Sequence, residues 1–110
     1  MNIMNVDGYK AKIDYDPELD QFRGEILGLN GSADFYGKNP TSLRKEFRNS
    51  LRVFLDVCKE RGINPTKEYS GKFNLRIPPK LHSKIAAQAT AEDKSLNQFV
   101  SEILEQSINE

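Results

Sequence analysis

Ser70–Pro79 reads S-G-K-F-N-L-R-I-P-P, and its residues alternate in character with a period of two. On a β-strand successive side chains point to opposite faces. Lys72, Asn74 and Arg76 therefore share one face, and Phe73, Leu75 and Ile77 share the other. The first face offers an ammonium, a carboxamide and a guanidinium, the donor types that match guanine and adenine edges in the major groove. The second is an apolar anchor. The chemistry this stretch could perform is recognition of base edges.

Such a strand needs elements that hold it. From Gly71 to Glu110 the pattern contains one strand and two helices, so the strand has no partner within its own segment. Unpaired strand edges leave amides and carbonyls open, and a unit of about forty residues is near the lower limit for folding alone. A two-fold dimer in which each strand pairs antiparallel with its copy answers both problems, and makes a two-stranded ribbon that the major groove can admit. Pro78 and Pro79 end the strand, and Pro79 suits the first turn of a helix. Leu81, Ile85, Ala86 and Ala89 form the apolar stripe of that helix, which fades near Glu92. After the polar Asp93-Lys94 connection, Ser95 suits the cap of a second helix. There Leu96, Phe99, Val100, Ile103, Leu104 and Ile108 recur at helical spacing. This apolar face is wider than one short helix can cover, as an intertwined dimer core requires.

The segment G-K-F-N-L-R-I-P-P-K-L-H-S-K-I-A-A-Q-A, with S-L-N-Q-F-V-S-E-I-L after it, resembles the ribbon-helix-helix fold of Arc-type repressors. It is most similar to the version at the C-terminus of HicB-family antitoxins. The resemblance implies that Lys72, Asn74 and Arg76 read bases and that Ser95, Leu96 and Asn97, at the start of the second helix, hold a phosphate. It also implies a dimer core of Phe73, Leu75, Ile77, Leu96, Phe99, Val100 and Ile103. The lone His82 is expected on the surface or at the dimer rim.

The first part of the chain reads as strands followed by a helix. Tyr9, Ala11, Ile13 and Tyr15 share one face of a half-buried strand; Asp16–Asp20 is turn chemistry; Gln21–Leu29 completes a hairpin; Ala33–Tyr36 makes a short third strand. Asn39 or Thr41 caps a long helix with Leu43, Phe47, Leu51, Phe54, Leu55 and Cys58 on its inner stripe, ending at Gly62 of R-G-I-N-P. The order β-β-β-α, with the C-K-E-R-G-I-N-P exit, resembles the truncated ribonuclease-H-like domain of HicB antitoxins. The expected organisation is thus α+β: a partial ribonuclease-H-like, toxin-binding domain over residues 1–62, a linker over 63–70, and a β-α-α ribbon-helix-helix domain over 71–110. Members of the family tend to be acidic in the first turn of the long helix, whereas Arg44 and Lys45 stand there in this chain. No toxin-contacting residues are carried over for that reason.

Composition bounds the function. The 110 residues carry 37% hydrophobic and 29% charged side chains and balance to zero net charge. A single cysteine, Cys58, excludes an intrachain disulfide and reads as a small buried hydrophobe. No Cys/His set suits zinc, no cofactor is called for, no apolar run approaches a membrane span, and Met1–Met4 does not begin a signal peptide. A bacterial or archaeal cytoplasm is expected. Neutral overall charge is unusual for a DNA binder, but its distribution is uneven. Residues 69–91 hold Lys72, Arg76, Lys80 and Lys84 and no acid, while the first 36 residues hold seven acids against three bases.

The resemblance implies an antitoxin that blocks a HicA-like mRNA-cleaving toxin and represses its own operon by binding palindromic operator DNA as a homodimer, with further assembly to tetramers left open. An orphan regulator without a toxin is a close alternative. A nuclease is a rival from another class, because Asp14 and Asp16 lie near the end of the first expected strand. Two-metal chemistry needs several converging carboxylates, and the acids here cluster in turns, so no catalytic or metal-binding residue is expected. A plain dimerising module without a nucleic-acid role is the third reading.

Overall fold

The computed structural model describes residues 2–109, which divide into two compact units on either side of the Ser70–Gly71 junction. The first is a four-stranded antiparallel sheet, β1 (Ile3–Val6), β2 (Tyr9–Asp16), β3 (Gln21–Ile26) and β4 (Asp34–Gly37), in the order β1-β2-β3-β4, with helix α1 (Pro40–Arg61) after it. The second contains α2 (Pro79–Ala91) and α3 (Leu96–Asn109).

The three-strand expectation is corrected by β1. It pairs with β2 through Ile3 opposite Lys12 and Val6 opposite Tyr9. Asp7-Gly8 makes the turn between them, with φ of 51° and 83°. Positive φ at both central residues is the geometry of a type I′ hairpin, for which Asp-Gly is a preferred pair. The signal was therefore present, but the flanking strand is short and its alternation of Asn2, Ile3, Met4, Asn5 and Val6 is poor. At the β2–β3 turn the Asp16 carboxylate accepts the Glu18 and Leu19 amides at 3.0 and 3.4 Å, and the Tyr15 hydroxyl donates to Asp20 at 2.6 Å.

Alternation in β2 to β4 sends Ala11, Ile26 and Phe35 to one face, where they meet Val6, Leu29 and the stripe Leu43, Phe47 and Leu51 of α1. Phe47 is fully buried and stacks on Phe35 with ring centroids 4.9 Å apart. The helix starts on a reciprocal cap: Asn39 Oδ1 accepts the Ser42 amide at 2.9 Å, and Ser42 Oγ accepts the Asn39 amide at 3.2 Å. It ends at Gly62, whose φ of 66° is the left-handed geometry glycine adopts without penalty. Part of the following stretch is hydrogen-bonded to the end of the sheet, through Asn30 N–H to the Pro65 carbonyl at 2.8 Å and Lys67 N–H to that of Gly28 at 3.0 Å.

Gly24 faces Phe35 across the β3–β4 pair, and a Cβ added there would lie within the Phe35 ring. Overpacking of this kind costs about 1–3 kcal/mol. Gly24→Ala is expected to lower the unfolding free energy of the sheet–helix unit by that amount, and Phe47→Ala to cost more, about 3–5 kcal/mol. Chemical denaturation followed by circular dichroism checks both.

Candidate nucleic-acid interface

Residues 71–78 belong to no strand in the single chain. The expected strand is corrected to this extent, and the reason is physical: a strand is defined by a hydrogen-bonded neighbour, and the only sheet among the described residues is built from β1 to β4. The alternation is retained over residues 73–77 but not at Lys72, which lines the same groove as Phe73. Phe73, Leu75 and Ile77 line an open groove of ≈ 630 Å³ with Ile85 of α2 and Leu96, Val100 and Leu104 of α3, while Asn74 and Arg76 lie outside that lining. Lys72, Asn74 and Arg76 are all solvent-exposed.

Two helix ends complete the groove. Pro79 occupies the first position of α2, where its missing N–H is no loss, and the Leu81 and His82 amides donate to the Pro78 carbonyl at 3.0 and 3.1 Å. Ser95 begins α3: its Oγ accepts the Gln98 amide at 3.1 Å and its carbonyl accepts the Phe99 amide at 3.0 Å. This leaves Leu96 and Asn97 in the first turn, where backbone N–H groups and the helix dipole favour an anion. Asn97 and Lys72 both line the groove, as does His82. Of the seven residues expected in the dimer core, Phe99 alone is buried in the single chain, and Ile77 and Val100 are half-buried. Phe73 is 74% exposed and Leu75 62%. Burial of one such side chain is worth about 1.5–3 kcal/mol, so these two leave roughly 3–6 kcal/mol of hydrophobic stabilisation uncollected. The groove is an apolar face arranged but not filled.

One ion-pair cluster here escaped the sequence reading. Lys94, in the turn between α2 and α3, pairs with Glu92 at 3.5 Å and with Glu102, and Glu102 also accepts from Gln98. The pairing crosses a turn whose Asp93 has a φ of 56°, so no helical spacing announces it. The hydrogen bond from Lys94 holds the Glu102 carboxyl below its ordinary value, and the bond to Glu102 raises the Lys94 ammonium.

Elsewhere Asp14 lies 3.8 Å from Lys12, and Asp16 serves the β2–β3 turn. Among the described residues no three His, Cys, Asp or Glu side chains are grouped as a metal ion would require. No described helix is long and apolar enough to cross a membrane. Cys58 is buried, as its place on the inner stripe of α1 predicts.

A model of the HicB family matches residues 54–104, from the second half of α1 through most of α3. The match supports membership of that family, and it takes in the groove, the 71–78 segment and the start of α3. No curated protein and no solved structure matches the chain.

A carboxylate held below its ordinary value adds stability above that value and loses it as pH falls through the lowered one. Glu102 therefore stabilises the two-helix unit at neutral pH, and this contribution fades in acid, below the ordinary 4.5. Glu102→Gln is expected to flatten the acid limb of the stability–pH profile, measured by denaturation at stepped pH.

Proposed function

We propose that this chain is the antitoxin of a type II toxin–antitoxin pair, a HicB-type component that also represses its own operon. The observation that carries the reading is the segment 72–77. Its apolar residues line an open groove beside α2 and α3, its polar residues stay outside it apart from Lys72, and the whole lies within the span matched by the HicB family. Two copies joined antiparallel through this segment would give each strand its missing partner, bury Phe73 and Leu75, and present Lys72, Asn74 and Arg76 of both copies on one ribbon. That is the geometry of a ribbon-helix-helix dimer, and the ribbon would enter the major groove of a palindromic operator. The first turn of α3 at Ser95, Leu96 and Asn97 would hold a flanking phosphate.

The sheet and α1 are read as the partial ribonuclease-H-like domain that the resemblance implies, with neutralisation of a HicA-like mRNA-cleaving toxin as its role. The order of strands and helix supports this, as does the excess of acids in the first 36 residues, which suits a basic RNA-binding partner. Neutralisation and repression would both act by occlusion, so the chain is read as no enzyme, needing no cofactor and working in the cytoplasm. An orphan regulator that keeps only the DNA-binding half follows from the same observations.

Arg76→Ala or Asn74→Ala is expected to weaken operator binding by about 1–3 kcal/mol, roughly five- to 150-fold, while leaving the dimer intact. Gel-shift titration and sedimentation equilibrium measure the two quantities. Unchanged affinity in the combined Lys72, Asn74 and Arg76 alanine variant would remove the ribbon as the reader. Leu75→Asp should in turn abolish dimerisation and operator binding together.

A further inference from the structure

Helix α1 carries a second charged surface that the antitoxin reading does not use. Charge in the sheet–helix unit is segregated: residues 1–36 hold seven acids and three bases, whereas residues 37–61 hold seven bases and three acids. At 3.6 residues per turn, each residue advances about 100° around the helix. Arg44, Lys45, Arg48, Arg52 and Lys59 then fall in one sector about 100° wide, beside the buried stripe. Glu46, Asp56 and Glu60 fall outside it, with the exposed Val53 and Val57. All five bases are exposed, and none of them makes an ion pair with the described acids. Arg44 alone is tethered, donating to the Asn5 carbonyl at 3.3 Å.

Arg44, Arg48 and Arg52 stand four residues apart, where like charges on a helix repel, and the first turn holds no acid to complement its dipole. Asp56, four residues after Arg52 and three before Lys59, is the acid nearest the sector, and it makes an ion pair with neither. The sector rises about 22 Å from Arg44 to Lys59, a length of duplex axis along which one strand carries six or seven phosphates at ~3.4 Å each, with only those on the near side within reach of a straight helix. Guanidinium groups suit phosphate oxygens in particular, through paired donors. The exposed valines that a protein partner would use for anchorage lie off the sector.

We propose that this sector of α1 is a phosphate-contacting surface for the backbone of duplex DNA. It adds sequence-independent affinity to a protein whose bases are read elsewhere. The inference rests on the DNA-binding reading of residues 71–110.

The test is the salt dependence of binding by the full chain, measured with operator DNA and with a scrambled duplex. Counterion release makes the slope of log K against log salt about −0.9 per phosphate contact. Arg48→Gln/Arg52→Gln is expected to make the slope shallower by nearly 2 on both duplexes, leaving the ratio of operator to scrambled affinity as it was. Lys10→Gln/Lys12→Gln removes the same charge from the sheet face opposite α1 and is expected to leave the slope unchanged. An unaltered slope in the α1 variant, with its circular dichroism retained, overturns the proposal but spares the ribbon reading. An equal change in both variants reduces the effect to net charge and overturns it too. Failure of the parent chain to bind either duplex removes both readings. Loss of specificity in Arg76→Ala with the salt slope retained supports the division of labour.

Discussion

Backbone amides and carbonyls removed from water must find partners, and the contrast between the two units follows from how each meets that demand. In residues 3–37 four strands pair in sequence, each connected to the next by a short turn or loop. The sheet then needs only one covering element, and α1 supplies it with Leu43, Phe47 and Leu51. In residues 71–109 a single segment with strand-like alternation has no sheet to join. Two helices of 13 and 14 residues bury only Ala89 and Phe99 between them. A forty-residue unit with so small an interior sits at the margin of independent folding.

That incompleteness is the physical basis of the proposed dimer. The side chains that would make its core are brought to the wall of one groove, so association needs little rearrangement to cover them. Asn74 and Arg76, between them in sequence, lie outside that wall. A second copy would thus complete the hydrogen bonding, the hydrophobic burial and the recognition surface in one step. The polar cluster of Lys94 with Glu92 and Glu102 fixes the turn between α2 and α3 from outside, away from the apolar wall.

Charge is organised on a larger scale than any single pair. The chain is neutral overall, yet the sheet is acidic, the outer sector of α1 basic, and the segment around residues 72–84 basic again. Overall neutrality of this kind does not cancel the local charges, because each surface acts over only about a Debye length at physiological salt. Net charge alone therefore says little about which polyanions the protein can meet.

The elements with strong local signals were legible in the sequence. The hairpin of β2 and β3, the inner stripe of α1, its stop at Gly62, and Pro79 and Ser95 at the starts of α2 and α3 all follow from periodicity and capping chemistry, while the choice of Asn39 over Thr41 as the cap of α1 was made by the fold. The alternation of residues 73–77 was legible too, whereas Lys72, expected on the polar face, lines the groove with the apolar residues. What the residues alone did not determine were relations between distant parts. β1 is too short to register by pattern, and it exists because Asp7-Gly8 folds it against β2. The Lys94–Glu102 pair depends on a left-handed turn that brings two helix ends together. The groove needed the meeting of residues 73–77, Ile85 and Leu96–Leu104 in space. Side-chain periodicity is local and is written in the order of residues, whereas pairing and closure depend on which surfaces meet, and only the folded chain decides that.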